Sequence, residues 1–242
     1  MVCLVVHGFP RVIAFFGPDG AGKSTQAKFA VDSLRPRYSC VKRGWVRSTH
    51  TVAYLLWLVF FRLNLCRTYG IEGRVSWRFA VSYLNEDPYG AVSPVTMSPP
   101  ILRGRFSRFL WSIVELAGVI PVILFQVYVP LLRGCAVVCE RYVLDSVTSI
   151  GYFLGDSAFD RSWQARILLS FVPRGTKFVF VDADYATVVS RRGRFAGPLE
   201  YTDFHRRMFK RLAKRFDAVY LDSSKYEVEE LRKKLVEAIS DD

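Results

Sequence analysis

The amino-acid sequence predicts an α/β fold in which helices cover both faces of a five-stranded parallel sheet. Short runs rich in β-branched and aromatic residues alternate with segments of helical period, which is the pattern of such a sheet. Hydrophobic residues make up 51% of the 242 residues, which is enough for a full core and excludes a disordered or collagen-like chain. The predicted strands are Arg11–Phe16, Tyr38–Lys42, Ala136–Cys139, Lys177–Val181 and Ala218–Leu221.

Three helices between and after these strands are predicted from local patterns. The first covers Lys23–Leu34 and ends before Pro36. The second covers His205–Phe216, and the last covers Val228–Ile239. Apolar side chains recur at four-residue spacing along the second, so one of its faces is expected to pack on the sheet. These side chains are Phe204, Met208, Leu212 and Phe216.

The length favours a single domain over residues 1–242 with an inserted subregion. This subregion, residues 44–134, lies between the second and third predicted strands. A linker is predicted within it around Pro88–Pro100, where turn-forming residues cluster.

Two apolar segments stand out in this subregion. Phe109–Leu132 is long enough to span a bilayer as a helix, whereas Val52–Phe61 is too short and ends at Arg62. Because polar residues and prolines interrupt the longer segment, we expect a buried helix pair or a subunit interface there, and no membrane association. The interrupting residues are Glu115, Pro121, Gln126 and Pro130.

The net charge limits the classes of binding partner, and the cysteine content indicates the cellular location. Lys and Arg exceed Asp and Glu by 34 − 22 = +12, which suits nucleic acid, an anionic membrane or phosphorylated small molecules. The five cysteines are odd in number, and the closest two, Cys135 and Cys139, lack the spacing of a metal site. We therefore expect no disulfide framework and a cytoplasmic location, with no signal peptide over Met1–Pro10.

A phosphate-binding loop follows the first predicted strand. The run GPDGAGKS fits the pattern G-x-x-x-x-G-K-[ST] and lies between a predicted strand and a predicted helix. Its backbone N–H groups and the helix N-terminus attract phosphate, Lys23 is expected to reach the β- and γ-phosphates of ATP or GTP, and Ser24 to bind Mg²⁺. The predicted nucleotide-binding residues are Gly17, Asp19, Gly20, Ala21, Gly22, Lys23, Ser24 and Thr25.

Two further charged motifs are candidates for phosphoryl transfer. Glu140 ends the third predicted strand and could hold Mg²⁺, while Arg141 could contact a phosphate; a strand-end ion pair is the alternative. Downstream, Arg191, Arg192 and Arg194 could close over the phosphates and stabilise charge on the γ-phosphoryl group. A solvated basic loop is the alternative for these arginines.

Taken together, GPDGAGKST, CERY and RRGR resemble the thymidylate kinase family of P-loop nucleoside monophosphate kinases. The resemblance implies a P-loop NTPase three-layer sandwich, a lid at about residues 190–203, and a homodimer. It also implies that Asp19 lies near the acceptor nucleotide, that Arg47 in the R-S-T run contacts the acceptor's phosphate, and that Glu140 replaces the family's Asp. The family's Phe-x-x-[DN]-Arg helix has no counterpart about twenty residues before Glu140.

The predicted function is transfer of the ATP γ-phosphoryl group to a nucleoside monophosphate, dTMP by resemblance, to give dTDP. ATP and Mg²⁺ are the expected cofactors, and residues 44–134 are expected to bind the acceptor and to form the dimer. Two alternatives stay open: a P-loop kinase for another small-molecule acceptor, or a nucleotide-binding NTPase associated with nucleic acid. Against the latter, the basic helix His205–Phe216 carries an apolar stripe, and the sequence contains no recognised nucleic-acid module.

Overall fold

A computed structural model describes residues 10–46, 67–68, 97–98, 104–193 and 196–240. Its main sheet has five strands in the order β2-β5-β1-β6-β7, and all neighbouring pairs are parallel, as predicted. A separate two-stranded antiparallel sheet contains β3 and β4. The strands are β1 (Val12–Phe16), β2 (Val41–Trp45), β3 (Arg67–Thr68), β4 (Met97–Ser98), β5 (Ala136–Arg141), β6 (Thr176–Asp182) and β7 (Val219–Asp222).

Helices lie on both faces of the main sheet. The second of them continues through a π-helical turn, Leu124–Tyr128, into a short third helix, and we call the whole of Arg105–Leu132 the long helix. A 3₁₀ turn, Phe159–Arg161, lies between α4 and α5. The helices are α1 (Lys23–Leu34), α2 (Arg105–Ile123), α3 (Val129–Leu132), α4 (Val143–Leu154), α5 (Trp163–Ser170), α6 (Tyr185–Arg192), α7 (Leu199–Arg215) and α8 (Val228–Ser240).

Strand β1 lies at the centre of the sheet and separates two hydrophobic cores. Its residues are buried on both faces, because a parallel strand between helical layers has no face in water. Ala14 and Phe16 pack with the long helix, α4, α5 and α7. Ile13 and Phe15 pack with α1 and α8. The result is the predicted three-layer sandwich.

Two predicted elements, the second strand and the second helix, have a boundary that is wrong by three residues or more, and the others agree within two residues. The second strand is β2, Val41–Trp45, three residues later than predicted, because Tyr38 N–H donates to Leu34 O and closes the turn after α1. Gly44 belongs to the strand and faces Cys139 closely: a Cβ there would lie 3.0 Å from the Cys139 Sγ. Helix α7 begins at Leu199, before the predicted start at His205.

The prediction of a helix pair over Phe109–Leu132 is wrong, since the segment is part of one continuous helix. Pro121 lies inside α2, and the π-helical turn begins three residues later, at Leu124. There Val129 N–H donates to Leu124 O, five residues earlier, which is the wider hydrogen bond of a π-helix. Gln126 in this turn accepts a hydrogen bond from the Trp45 N–H at 2.6 Å, which fixes the helix against β2.

A disulfide joins Cys40 and Cys135, contrary to the expectation that no cysteines pair. The two residues directly precede β2 and β5, which are neighbouring parallel strands, so their amino ends meet. Because 95 residues separate the two cysteines in sequence, local spacing gives no sign of the pair. Cys139 is a free thiol, and burial raises its pKa to about 12, so it is chemically inert.

Candidate functional site

The phosphate loop connects β1 to α1 at the carboxyl end of the central strand. Gly17 has φ +143°, and a Cβ there would lie 2.0 Å from the carbonyl oxygen of Val181 in β6. Gly22 has φ +94° and is the N-cap of α1, so the backbone turns directly into the first helical N–H groups. The geometry therefore requires glycine at position 17 for space, and favours it at position 22 for conformation.

Lys23 is buried and folds back over this loop. Its ammonium group donates to Gly17 O at 2.6 Å and Pro18 O at 2.7 Å, and lies 3.7 Å from the Asp19 carboxylate. Ser24 and Thr25 follow it in the first turn of α1, where both are exposed. The loop thus places one ammonium group and two accessible hydroxyl groups at the N-terminus of a helix, where an anion is stabilised.

Arg141 connects the end of β5 to the phosphate loop. Its guanidinium contacts the Asp19 carboxylate directly and donates to Asp145 Oδ1 at 3.1 Å. Asp145 is buried in the first turn of α4, one helical turn beyond Arg141 in sequence. A second cation is therefore fixed beside the Lys23 ammonium, and Asp19 lies between the two.

Glu140 forms an ion pair with Arg43 of the neighbouring strand β2. Glu140 lies next to the carboxyl end of β5, on the same edge as the phosphate loop, and Arg43 lies in the middle of β2. Among the described residues, no group of three or more His, Cys, Asp or Glu could hold a metal ion. Mg²⁺ needs only one or two protein ligands beside water and phosphate, and the exposed Ser24 hydroxyl suits it.

Arg191 at the end of α6 is tied to backbone on two sides. Its guanidinium donates to Gly20 O at 3.1 Å in the phosphate loop, to Ser223 Oγ at 2.9 Å and to Ser223 O at 2.8 Å. The stem of Arg192 packs over the loop, since a Cβ on Gly20 would lie 3.1 Å from its Cγ and Cδ. Arg194 and Arg47 lie outside the described residues.

The most buried carboxylate at this edge belongs to Asp182, the last residue of β6. Arg206 of α7 donates to both of its oxygens, at 2.8 and 2.9 Å, and Tyr220 donates at 3.0 Å. Burial raises the pKa of Asp182, but the hydrogen bonds and charge of Arg206 outweigh it and hold this pKa below its usual value. The Asp182 carbonyl also accepts from the backbone N–H and hydroxyl of Ser223, which joins this pair to the Arg191 contacts.

The structure brings together most of the residues that the sequence singled out. Gly17, Asp19, Lys23, Ser24 and Arg141 meet at the carboxyl end of β1 and β5, and the end of α6 reaches the same loop. Sequence reasoning missed the residues that hold these side chains in place. The i, i+4 spacing of Arg141 and Asp145 was a usable sign, whereas nothing local indicates the others: Arg43, Arg206 and Ser223.

The structure has the fold of a known kinase. It is similar to the crystal structure of thymidylate kinase from Ehrlichia chaffeensis, with a TM-score of 0.52, 14% sequence identity, and coverage of 94% of this chain and 96% of that chain. At this identity the similarity concerns the fold. No protein-family model and no curated protein sequence matches the chain.

Proposed function

We propose that this protein is an ATP-dependent kinase that transfers the γ-phosphoryl group to a nucleoside monophosphate, dTMP by resemblance, giving dTDP. One observation carries the proposal: the Arg141 guanidinium reaches Asp19 inside the phosphate loop, beside the buried Lys23 ammonium. Two anionic reactants need such paired cations at the point where they meet. The similarity in fold to a thymidylate kinase supports the same reaction class.

The proposed chemistry is an in-line displacement. An oxygen of the acceptor phosphate forms a bond to the γ-phosphorus, while the bond from that phosphorus to the β–γ bridging oxygen breaks and ADP leaves. No general base is required, since the acceptor phosphate is already anionic. Catalysis then depends on positioning and charge neutralisation.

Each charged residue has a separate role in this scheme. Lys23 neutralises the β- and γ-phosphates, Arg141 lies between donor and acceptor, and Arg47 holds the acceptor phosphate. The lid arginines, Arg191, Arg192 and Arg194, add positive charge at the γ-phosphoryl group. Ser24 is the proposed Mg²⁺ ligand, and Glu140 would join it on release from its ion pair with Arg43. The ion would neutralise negative charge on the phosphates.

A kinase with a different acceptor is the second candidate. The place of the family's Phe-x-x-[DN]-Arg helix, about twenty residues before Glu140, is occupied by the long helix. There Leu116, Val119 and Val122 are buried in the core and present no cation to an acceptor. This favours an acceptor held by other residues within 44–134.

Homodimer formation is a separate proposal, and so is a cytoplasmic location, which loses the support of the cysteine content because Cys40 and Cys135 form a disulfide. The dimer is implied by the family resemblance, and the apolar segment Val52–Phe61 that supports it lies outside the described residues. Light scattering at micromolar concentration tests the dimer, and a monomer would contradict it.

Replacement of Lys23 tests the phosphoryl-transfer proposal. We expect Lys23→Ala to lower kcat/KM for ATP by about 10²-fold or more, because it removes the charge that the phosphate loop holds at the transferred group. Lys28→Ala is the matched control, since Lys28 lies on the same helix and is exposed. ADP formation with dTMP is the readout; turnover of Lys23→Ala equal to that of Lys28→Ala would refute the proposal.

A further inference from the structure

We propose that the exposed face of the long helix binds the surface of an anionic lipid bilayer. This helix has one face in the core and one face in water. Trp111, Leu116 and Val119 are buried, whereas Phe106 is 78%, Phe125 73% and Leu132 84% exposed. Because a helix repeats every 3.6 residues, the exposed positions fall on one side. The exposed apolar face, as we call it, contains Phe106, Phe109, Leu110, Ala117, Pro121, Leu124, Phe125 and Leu132.

The exposed apolar face is long and free of charge. From Phe109 to Leu132 the only ionisable acid or base is Glu115, and that residue is 2% exposed on the buried side. These residues extend for about 36 Å at 1.5 Å per residue. Soluble monomers rarely leave an apolar surface of this extent in water, so the face is expected to bind a partner.

Helix α5 widens the exposed apolar face. Its residues Trp163 and Ile167 are also exposed, and the Trp163 ring lies 6.3 Å from the ring of Phe109. Aromatic rings of this kind are enriched where proteins meet the interface of a bilayer. Two elements therefore contribute to one continuous surface.

Arginines surround this surface, and exposed carboxylates are absent from the long helix. Arg105 and Arg108 lie at its first turn, and Arg133 follows its last residue. Arg161 and Arg166 are exposed next to and on α5. The neighbouring Asp160 is buried and paired with Arg211, so it does not offset them. The exposed apolar face can contact acyl chains, while the arginines around it bind anionic headgroups.

Charge decides between a bilayer and a second copy of the chain. If two copies paired with their long helices aligned, like charges would meet: Arg105 with Arg133 in an antiparallel pair, and Arg105 with Arg105 in a parallel one. No exposed acid on the helix relieves this repulsion. An anionic lipid surface attracts both ends, and it leaves dimer formation through other surfaces unaffected.

The helix lies on the membrane in this proposal and does not cross it. Among the described residues it is the one helix long and apolar enough to span, but 44% of its most apolar window is buried inside the protein. The buried side of the helix packs on α4 and β2 and includes Glu115. Insertion of the helix across a bilayer would therefore remove these residues from the hydrophobic core. Binding therefore occurs along one side, as for an interfacial helix.

Co-sedimentation with lipid vesicles tests this surface. The full chain is expected to sediment with vesicles of phosphatidylcholine and phosphatidylglycerol, more weakly with phosphatidylcholine alone, and less as salt increases. Phe125→Asp is expected to lower binding more than tenfold, because it removes an aromatic anchor and adds a charge to the apolar strip. Arg105→Gln and Arg133→Gln are each expected to lower it about fivefold, at about 1 kcal/mol per arginine.

Val228→Asp is the matched control. Val228 is an exposed apolar residue that begins α8, the helix across the sheet from the long helix, so this variant should bind vesicles like the parent chain. Circular dichroism and ATP binding are expected to be unchanged in Phe125→Asp, which separates lost docking from lost folding. If the parent chain sediments with neither type of vesicle, the proposal is wrong. It is also wrong if the parent chain is a dimer that does not bind vesicles and Phe125→Asp converts it to a monomer, because the face then binds a second copy of the chain.

Discussion

Among the glycines that the structure describes, Gly17 has the least space for a side chain, because a Cβ there would lie 2.0 Å from the carbonyl oxygen of Val181. We expect Gly17→Ala to displace the phosphate loop from β6 and to abolish ATP binding. Gly134→Ala is the control: its φ is +82°, but nothing lies within 4 Å of the added Cβ. That variant should lose about 1–2 kcal/mol of stability from conformation alone and still bind ATP. Equal ATP affinity in the two variants would contradict this assignment.

Asp182 predicts a pH dependence of stability. Its pKa is lower in the folded chain than in the unfolded one, because Arg206 and Tyr220 stabilise the carboxylate. The stability it contributes is therefore complete above the unfolded pKa of about 3.9, and is lost as pH falls through the folded pKa. At neutral pH, urea unfolding should show that Asp182→Asn has a free energy of unfolding about 3 kcal/mol lower than that of the parent chain. This difference should become smaller below about pH 4. A constant deficit at every pH would contradict it.

At this scale the sequence predicts residues that act through a short motif and misses those that act through a distant partner. Gly17, Lys23 and Ser24 were predicted because the loop is contiguous in sequence. Arg43 and Ser223 were missed because their partners, Glu140 and Arg191, lie far away along the chain.

Helix α6 connects the phosphate loop to the end of β7 through a single side chain. Arg191 donates to Gly20 O and to two oxygens of Ser223, so its loss frees one side of the loop. We expect Arg191→Ala to raise KM for ATP about tenfold, since bonds from a charged donor contribute about 1.5–3 kcal/mol. Ser190→Ala on the same helix, where the hydroxyl donates only to Thr187 O, should leave KM unchanged. A loss confined to kcat would contradict this role in the loop, and would leave Arg191 only the role at the γ-phosphoryl group that we propose for the lid arginines.

The boundaries of an element were predicted correctly where residues next to it in sequence determine where it begins and ends. Helix α1 has the predicted bounds, Lys23–Leu34, because a glycine precedes it and a proline follows. Strand β2 was predicted three residues too early because Tyr38 belongs to the apolar run, whereas its N–H closes the turn after α1. A helix pair was one expectation for Phe109–Leu132, because the π-helical turn that continues the long helix has no pattern in the sequence.

The disulfide stabilises the whole molecule from the edge opposite the candidate site. Cys40 and Cys135 precede their strands, whereas the phosphate loop follows β1 at the carboxyl edge. Reduction should lower the free energy of unfolding by about 2–4 kcal/mol and leave KM for ATP unchanged. Calorimetry with and without dithiothreitol measures this effect, and the variant Cys40→Ser/Cys135→Ser should not respond to the reductant. An unchanged Tm of the parent chain on reduction would contradict the prediction.

The five-stranded parallel sheet was predictable because each strand is an apolar run, and the alternation of strands with helices permits few topologies. The residues that bind the acceptor were not predictable in the same way, because residues 44–134 contain no motif tied to a known geometry apart from the R-S-T run at Arg47. The sequence also did not show which face of the long helix is buried. Both faces are apolar in sequence, and only the packing of the other elements distinguishes them.

The most direct measurement is ADP release from Mg-ATP by the purified full chain, with dTMP, the other nucleoside monophosphates and thymidine each offered as acceptor. We predict acceptor-dependent turnover that is selective for dTMP and lost in Lys23→Ala. Turnover with a different acceptor would support the kinase assignment and show that dTMP is not the substrate. No ADP with any acceptor, while ATP still binds, would contradict the proposal that this site is a nucleoside monophosphate kinase.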